Sequence, residues 1–276
     1  MTNSTKKKRQ EKQDFVYSAK THTSIILEQP SVGNPYVAKA NFLHGYNMIE
    51  LLQKKSFVDV LLLLFIGELP EPEKVQLFER LMIALINLGP RHPAVKSAMV
   101  AGVSKANTEH LLPIGLSVLG GKSNGAKEVE QAVNFLQKNI NKPAIDVAAQ
   151  LFSAMKESDK EGEFHLFPGF GNSYGGIDEF TNDVAENIIA NLQSDFPFIQ
   201  WANDFCLSLA PYNMGWLKTG LAAAVFCELN IGAREAIGLF QLICAPGIFA
   251  QGVEQTHKPI TAIPMLSDEQ HLYQSN

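Results

Sequence analysis

The stretch Gly120-Gly121-Lys122-Ser123-Asn124-Gly125-Ala126-Lys127-Glu128 is the first of four glycine- or proline-rich segments that decide how this chain folds. The second is Pro168-Gly169-Phe170-Gly171-Asn172-Ser173, and the third is Ala210-Pro211-Tyr212-Asn213-Met214-Gly215. The fourth runs from Leu239 to Glu254. No one of these segments is decisive alone, but their order and spacing along the chain are together specific.

The composition is that of a globular protein large enough to bury a full core. Of its 276 residues, 46% are hydrophobic and 18% are charged, and the net charge is -5. This balance gives no reason to expect nucleic-acid binding. The longest apolar stretch, Val58 to Ile66, contains Asp59 and is too short to span a bilayer, so no membrane association is expected either.

The cysteines and the N-terminal sequence indicate the cellular compartment to expect. Cys206, Cys227 and Cys244 lie far apart without a CxxC pair, which is typical of reduced, buried thiols in a cytoplasmic protein. The basic run Lys6 to Arg9 belongs to a polar leader, residues 1–20, for which a disordered tail is expected. No apolar segment follows the leader, so the pattern does not predict a signal peptide.

Beyond the leader, apolar residues recur with a helical period, so the predicted fold class is mainly α. Only Thr21 to Glu28 alternates as a short strand would, and no second strand run is apparent. Gly162 to Gly176 is expected to be irregular. The predicted helices, about eleven in all, include Glu71–Leu88, Asn124–Ile140 with Asn124 as its cap, Asp178–Leu192, Pro197–Leu209, Gly215–Leu229 and Arg234–Leu242.

The first segment partly matches two functional motifs, a nucleophile elbow and a phosphate-binding loop. Gly121 to Gly125 matches the G-x-S-x-G nucleophile elbow with Ser123 as nucleophile, but that turn requires a preceding strand. Leu111 to Leu119 lies instead in a helical context. The same segment misses the spacing of a phosphate loop by one residue, and no strand with a magnesium-binding aspartate follows. The pattern therefore favours neither a serine hydrolase nor a nucleotide hydrolase.

The sequence gives no support for a metal site and only partial support for an anion site. The seven histidines are scattered without ligand spacing, so no metal site is expected. The glycines from Gly169 to Gly176 could bring backbone N–H groups to an anion, but no βαβ unit marks a dinucleotide site. Arg91-His92-Pro93 precedes a helix and could hold a carboxylate or phosphate at that helix's N-terminus, although a surface cap is the commoner origin of such a pattern.

The four segments, together with Asn34-Pro35-Tyr36, Gly67-Glu68-Leu69-Pro70 and Gly89 to Ala94, resemble the citrate synthase family, including its short citryl-CoA lyase relatives. The resemblance runs from about residue 21 to residue 258. It implies a homodimer with a large helical domain, residues 21–125 and 210–276, and a small one, residues 126–209. It also implies a reaction that joins or splits an acyl-CoA and a 2-oxo acid, with the coenzyme A thioester as ligand and no other cofactor.

The resemblance places the family's catalytic residues at positions that are substituted in this chain. Ser123 and Asn172 stand where the two catalytic histidines are expected, and Met214 stands at the place of the aspartate base. Cys244 stands for a substrate-binding arginine, and Asp178 resembles the aspartate of the family's "DPR" element, here followed by Glu179-Phe180. The other residues expected to converge on the substrate are Arg91, His92, Asn124, Ser173, Tyr174 and Asn213.

These substitutions bear directly on the chemistry. Ser123 and Asn172 can donate hydrogen bonds but cannot shuttle protons near neutral pH, and Met214 can do neither. Because a positioned acid–base group contributes about 10²–10⁴-fold, standard citrate formation is not expected.

The sequence is compatible with three interpretations. The first is a non-catalytic protein that keeps the fold and a cleft for an acyl-CoA or a carboxylate. The second is a divergent enzyme that forms or cleaves a C–C bond of an acyl-CoA with a rearranged site. The third is the standard enzyme with its residues in a shifted register.

Overall fold

The computed structural model describes residues 21–154, 167–271 and 274. The expected N-terminal tail, residues 1–20, and the first part of the expected irregular segment, residues 162–166, lie outside the described residues. The chain divides between Lys55 and Ser56 into two compact units. The expected division into a large and a small helical domain stays a prediction.

The first unit contains a small antiparallel sheet and one short helix. The sheet has the order β1-β2-β3 and pairs Ile26 with Leu43, with an irregularity in register between Gln29 and Pro30. Its elements are β1 (Ile26–Pro30), β2 (Ala38–Leu43), β3 (Tyr46–Asn47) and α1 (Met48–Lys54). The expectation of no second strand run is wrong, because β2 pairs with β1. Since β1 is exposed along its whole length, no buried face imposes a clear alternation on the sequence.

The second unit is helical, and its described residues form ten α-helices and one two-stranded ladder. The helices are α2 (Phe57–Ile66), α3 (Pro72–Leu85), α4 (Pro93–Val103), α5 (Thr108–Leu119), α6 (Ala126–Asn139), α7 (Ala144–Ala154), α8 (Glu179–Ala190), α9 (Pro197–Leu209), α10 (Lys218–Glu228) and α11 (Ala233–Thr256). The ladder pairs β4 (Phe170–Gly171) with β5 (Gly215–Trp216). The mainly α fold class is thus confirmed.

Local sequence signals set many of the helix ends. Proline stands at or near the first position of α3, α4 and α9, where its missing N–H has no intrahelical partner to lose. Ser56 and Asp59 form a capping box at the start of α2, and Gly67 ends that helix with a φ of 84°. The bounds of α9 are those expected from the sequence.

Two helices, α6 and α10, begin two or three residues later than expected. The N-cap of α6 is Gly125, and the predicted cap Asn124 lies one residue earlier with a φ of 54°. Helix α10 begins at Lys218 because Gly215 and Trp216 pair with the second glycine-rich segment as strand β5.

Helix α10 lies at the centre of the second unit. Its residues from Thr219 to Glu228 are all buried, and it packs against α6, α9 and α3. An aromatic cluster extends this core on one side. Phe170 contacts Phe205 edge to face at 5.2 Å between ring centroids, and Trp201 stacks on Phe205 at 5.3 Å. The loop that carries β4 is therefore anchored by its own aromatic side chain.

Helix α11 continues well beyond the expected Arg234–Leu242. It passes through Pro246, and the backbone N–H of Gly247 donates to the Ile86 carbonyl at 2.9 Å. Among the described residues, it is the one helix long and apolar enough to cross a membrane by those two measures alone. The core helix of a globular domain meets the same criterion, and α11 packs against α4, α5 and α6, which favours that explanation.

Candidate functional site

A cleft of about 330 Å³ opens in the second unit where the first turns of four helices meet. His92 caps α4, Asp178 caps α8, Lys218 is the first residue of α10, and Asn124 directly precedes the cap of α6. The residues that line the cleft are Leu88, Arg91, His92, Pro93, Asn124, Ser173, Tyr174, Ile177, Asp178, Glu179, Lys218 and Phe240. Since helix N-termini carry partial positive charge, this arrangement favours an anionic ligand.

His92 is held in one neutral form by two hydrogen bonds. Its Nδ1 accepts from the backbone N–H of Ala94 at 3.2 Å, and its Nε2 donates to the Asn124 carbonyl at 2.9 Å. Burial lowers the pKa of His92; the hydrogen bond to Asn124 opposes this effect, and the charge of Lys218 reinforces it. Both ring nitrogens are engaged, so His92 joins α4 to the first glycine-rich segment and cannot act as a base.

Lys218 and Asp178 form a partly buried ion pair on the cleft wall. Lys218 Nζ lies 2.8 Å from Asp178 Oδ2, and Asp178 Oδ1 accepts from the Thr181 backbone N–H at 3.1 Å. Burial would raise the pKa of Asp178, but the hydrogen bond and charge of Lys218, together with the Thr181 bonds, outweigh it and lower the pKa. Asp178 therefore stays ionised at neutral pH and is committed to its partners.

The turn from Ser173 to Gly176 forms one edge of the cleft. The backbone of Ser173 donates to the Gly176 carbonyl at 2.7 Å and accepts from the Gly176 N–H at 3.1 Å. Tyr174 and Gly175 both have positive φ, at 52° and 81°, as a tight hairpin turn requires. The Asn213 side chain donates to the Gly175 carbonyl at 3.0 Å, so the third segment holds the tip of this hairpin turn.

A buried carboxyl group links the first two segments. Glu128, which is 2% exposed, accepts from the Asn124 N–H at 2.8 Å and from the Gly169 N–H at 3.2 Å. Glu128 therefore fixes the position of Asn124, which lines the cleft, relative to the loop that carries Ser173 and Tyr174.

The same loop lies directly against α10. A Cβ atom on Gly220 would be 2.0 Å from the Gly169 carbonyl oxygen, and one on Gly169 would be 2.4 Å from the Gly220 Cα. Both positions therefore require glycine for close backbone approach. The Leu217 N–H donates to the Gly169 carbonyl at 3.1 Å. This contact brings the first turn of α10, and with it Lys218, to the cleft.

Two charged side chains at the rim of the cleft are unpaired among the described residues. Within the described residues, neither the exposed Arg91 nor the exposed Glu179 forms an ion pair or a side-chain hydrogen bond. Arg91 precedes the N-terminus of α4 and can reach a carboxylate with two parallel hydrogen bonds. Glu179 opposes anion binding by its charge and is the remaining carboxylate that could take part in proton transfer.

The cleft contains half of the ten site residues proposed from the sequence. Arg91, His92, Asn124, Ser173 and Tyr174 line it. The other five, which are likewise described, are absent from its lining: Ser123, Asn172, Asn213, Met214 and Cys244.

The positions of those five residues differ. Ser123 is exposed, Asn172 is half-buried, and Asn213 is exposed and holds the hairpin tip. Met214 is 9% exposed and belongs to the apolar core. Cys244 is fully buried in α11, where burial raises the pKa of its thiol. Phe240, one turn earlier on the same helix, lines the cleft instead.

Sequence reasoning missed Lys218 and Glu128 as site residues. Lys218 was expected inside a helix starting at Gly215, whereas it begins that helix and so points its charge at the cleft. Glu128 ends the first segment, and a carboxyl group on the apolar face of a predicted helix is the signal that could have identified it.

The described residues contain no group of three or more His, Cys, Asp or Glu side chains that could hold a metal ion.

Comparison with known proteins identifies the fold. No protein-family model and no curated protein matches the chain. Among solved structures, citryl-CoA lyase from Hydrogenobacter thermophilus is similar with a TM-score of 0.73 at 19% identity, covering 93% of this chain and 94% of that one.

Two larger proteins contain a region of similar fold. ATP citrate lyase from Methanothrix soehngenii, solved with citrate and coenzyme A, matches with a TM-score of 0.68 at 16% identity over 95% of this chain and 44% of its own. Citrate synthase from the archaeon Thermoplasma acidophilum, solved with carboxymethyl coenzyme A and oxaloacetate, matches with a TM-score of 0.59 at 14% identity over 80% of this chain and 58% of its own. The chain therefore has the citrate synthase-like fold, as the sequence resemblance predicted.

Proposed function

We propose that this protein binds a small carboxylate, or a coenzyme A thioester that carries one, in the cleft beside Arg91 and does not carry out standard citrate formation. The observation that supports the proposal most directly is the pairing of an unengaged Arg91 with four converging helix N-termini. The solved neighbours hold citrate, oxaloacetate or coenzyme A compounds, which makes the same ligand classes the first to test.

The proposed lack of standard citrate formation is supported by the hydrogen bonds and ion pair that already engage the polar groups of the cleft. His92 has both nitrogens bonded, and Asp178 is ion-paired with Lys218 at a lowered pKa. Neither can remove a proton from the weakly acidic methyl group of an acyl thioester. Met214 is buried in the core and has no basic atom.

A rearranged acyl-CoA enzyme is the second candidate, and Glu179 is the observation that favours it. Its carboxylate shares the cleft with the Tyr174 hydroxyl and the Lys218 ammonium group. A carboxylate base, a hydroxyl donor and a cation are sufficient for proton abstraction with stabilisation of an oxyanion. Under this alternative, Glu179→Gln abolishes turnover and leaves ligand binding intact.

The test combines binding with turnover. Isothermal titration with citrate, malate, coenzyme A and acetyl-CoA measures affinity, and Arg91→Ala is expected to weaken carboxylate binding at least tenfold, in line with loss of a charge-assisted contact. Arg234→Ala is the matched control, because Arg234 is also exposed and does not line the cleft. Equal affinity of wild type and Arg91→Ala for every carboxylate contradicts the proposal.

A thiol-release assay with acetyl-CoA and oxaloacetate, and with citryl-CoA, decides between the two candidates. No release by the wild type is expected. Release that Glu179→Gln abolishes would support the rearranged enzyme instead.

A cytoplasmic homodimer completes the proposal. Apolar side chains on the helices between residues 71 and 140 are well exposed in the single chain: Ile83, Ile86, Val100, Ile114 and Val118. Such faces are commonly covered by a second copy. Light scattering coupled to gel filtration is expected to give twice the 30.4 kDa chain mass, and a monomer at micromolar concentration contradicts this part.

A further inference from the structure

The cleft is lined by charged side chains of both signs. Among the described residues that line it, Arg91, Asp178, Glu179 and Lys218 are charged beside the neutral His92. Lys218 is engaged by Asp178 at 2.8 Å, so these two charges cancel. An uncompensated positive charge on Arg91 and an uncompensated negative charge on Glu179 therefore remain in the same cleft.

Arg91 and Glu179 belong to different helices and do not pair with each other. Arg91 directly precedes the cap of α4, whereas Glu179 is the first residue of α8. Both side chains are exposed, and within the described part of the chain neither forms an ion pair or a side-chain hydrogen bond. The two opposite charges can therefore be bridged by a ligand that lies between them.

We infer that the natural ligand carries an amine as well as a carboxylate, with the carboxylate bound by Arg91 and the ammonium group bound by Glu179. Its chemical class is that of an amino acid or a longer amino carboxylate. The inference rests on the proposed carboxylate binding and adds a second functional group to the ligand.

The unpaired Glu179 is the main argument for the amine. A ligand with carboxylates alone places a like charge beside Glu179, and such a juxtaposition disfavours binding. An ammonium group turns the same side chain into a favourable contact. Tyr174 supports this assignment, because its ring lines the cleft, is well exposed and offers an aromatic face to a cation.

The binding test uses pairs of ligands that differ only in the amine. Isothermal titration of the full chain compares acetate with glycine, propionate with β-alanine, butyrate with γ-aminobutyrate, and valerate with δ-aminovalerate. The series varies the separation of carboxylate and amine. At the separation that spans Arg91 and Glu179, the amine is expected to tighten binding by about fivefold, the scale of an exposed charge pair.

Two variants of α8 separate specific recognition of the amine from general surface charge. Glu179→Gln removes the charge and keeps the size of the side chain. It is expected to abolish the difference within each pair, by weakening the amino member and tightening the plain carboxylate. Glu186→Gln is the matched control, because Glu186 is also an exposed residue of α8 and does not line the cleft. Thermal unfolding verifies that both variants remain folded.

Each outcome has a definite meaning. A preference for the amine that Glu179→Gln removes and Glu186→Gln retains supports the inference. Binding of citrate or of plain carboxylates without any gain from the amine overturns it and leaves the proposed carboxylate site standing. A preference that persists in Glu179→Gln, or that Glu186→Gln also removes, overturns it as well, because Glu179 is then not the specific partner of the amine. Absence of binding by citrate and by every compound of the series defeats both proposals.

Discussion

The carboxyl group of Glu128 accepts a hydrogen bond from the backbone N–H of Gly169, which lies 41 residues further along the chain. The same carboxyl group accepts from Asn124, so two segments distant in sequence share one buried acceptor. Replacing this acceptor leaves buried N–H groups without a partner, which is more damaging than losing an exposed bond.

Glu128→Gln is therefore expected to lower the free energy of unfolding by about 1–3 kcal/mol, since an amide offers one oxygen where the carboxyl group offers two. Urea unfolding measures the change. Glu130→Gln on the same helix, where the side chain pairs with Lys127 nearer the surface, is expected to stay within about 0.5 kcal/mol. Equal effects in the two variants would show that Glu128 does not join the segments.

The lowered pKa of His92 gives a pH dependence with a definite sign. The unfolded chain takes up the proton near the ordinary value of 6.5, whereas the folded chain resists it until lower pH. The unfolded state therefore binds more protons in this window, and stability falls as the pH drops below about 6.5.

His92→Asn keeps a capping side chain at the start of α4 and has no titrating ring. It is expected to flatten the change in unfolding free energy between pH 7.5 and pH 5. His110→Asn, which removes an exposed histidine elsewhere on the chain, is the matched control. Chemical unfolding at several pH values tests both variants, and an unchanged slope in His92→Asn contradicts the assignment.

Gly220 permits the closest backbone approach at the site. Gly220→Ala is expected to destabilise the protein by about 1–3 kcal/mol or more, because its Cβ would meet the Gly169 carbonyl at 2.0 Å. It should also displace the loop and weaken ligand binding. Gly238→Ala is the control, because Gly238 lies within α11 and a Cβ atom there would have nothing within 4 Å. That change should stabilise by up to about 1 kcal/mol, and melting temperatures distinguish the two.

Asp178 competes with any anion for Lys218. Asp178→Asn keeps an effective cap for α8 but removes the charge that holds the lysine. Affinity for citrate is expected to rise by about fivefold, and stability to fall by about 1 kcal/mol, as for loss of a partly buried pair. Asp204→Asn, an exposed change on α9, should alter neither quantity. Weaker citrate binding in Asp178→Asn would mean that the aspartate positions the ligand.

Much of the helical frame could be predicted because local signals and packing agree. Pro197 and the apolar period fix α9 at its predicted bounds. Helix α11 could not be delimited, because Pro246 argues for an end that tertiary packing overrides. The start of α10 also depended on tertiary contacts, since the pairing of Gly215 with Gly171 is invisible in the local sequence.

The candidate site was only partly accessible from the sequence for a similar reason. Arg91 and His92 stand directly before a proline that begins a helix, so their place at an N-terminus could be inferred. Met214 and Cys244 were assigned by position along the chain, which does not show on which side of an element a residue lies. Burial among apolar neighbours decides which side a residue faces, and that burial is known only once the whole unit is packed.

Because β4 pairs with β5, movement of the cleft loop can be followed by tryptophan fluorescence. The chain has two tryptophans, and Trp216 lies in β5 with its ring 5.4 Å from that of Phe170 in the cleft loop. Any outward movement of this loop admits water to the Trp216 indole and shifts its emission to longer wavelengths. Trp201 stacks on Phe205 in the core, so a Trp201→Phe chain carries a single tryptophan, Trp216, whose emission follows the loop without any attached dye.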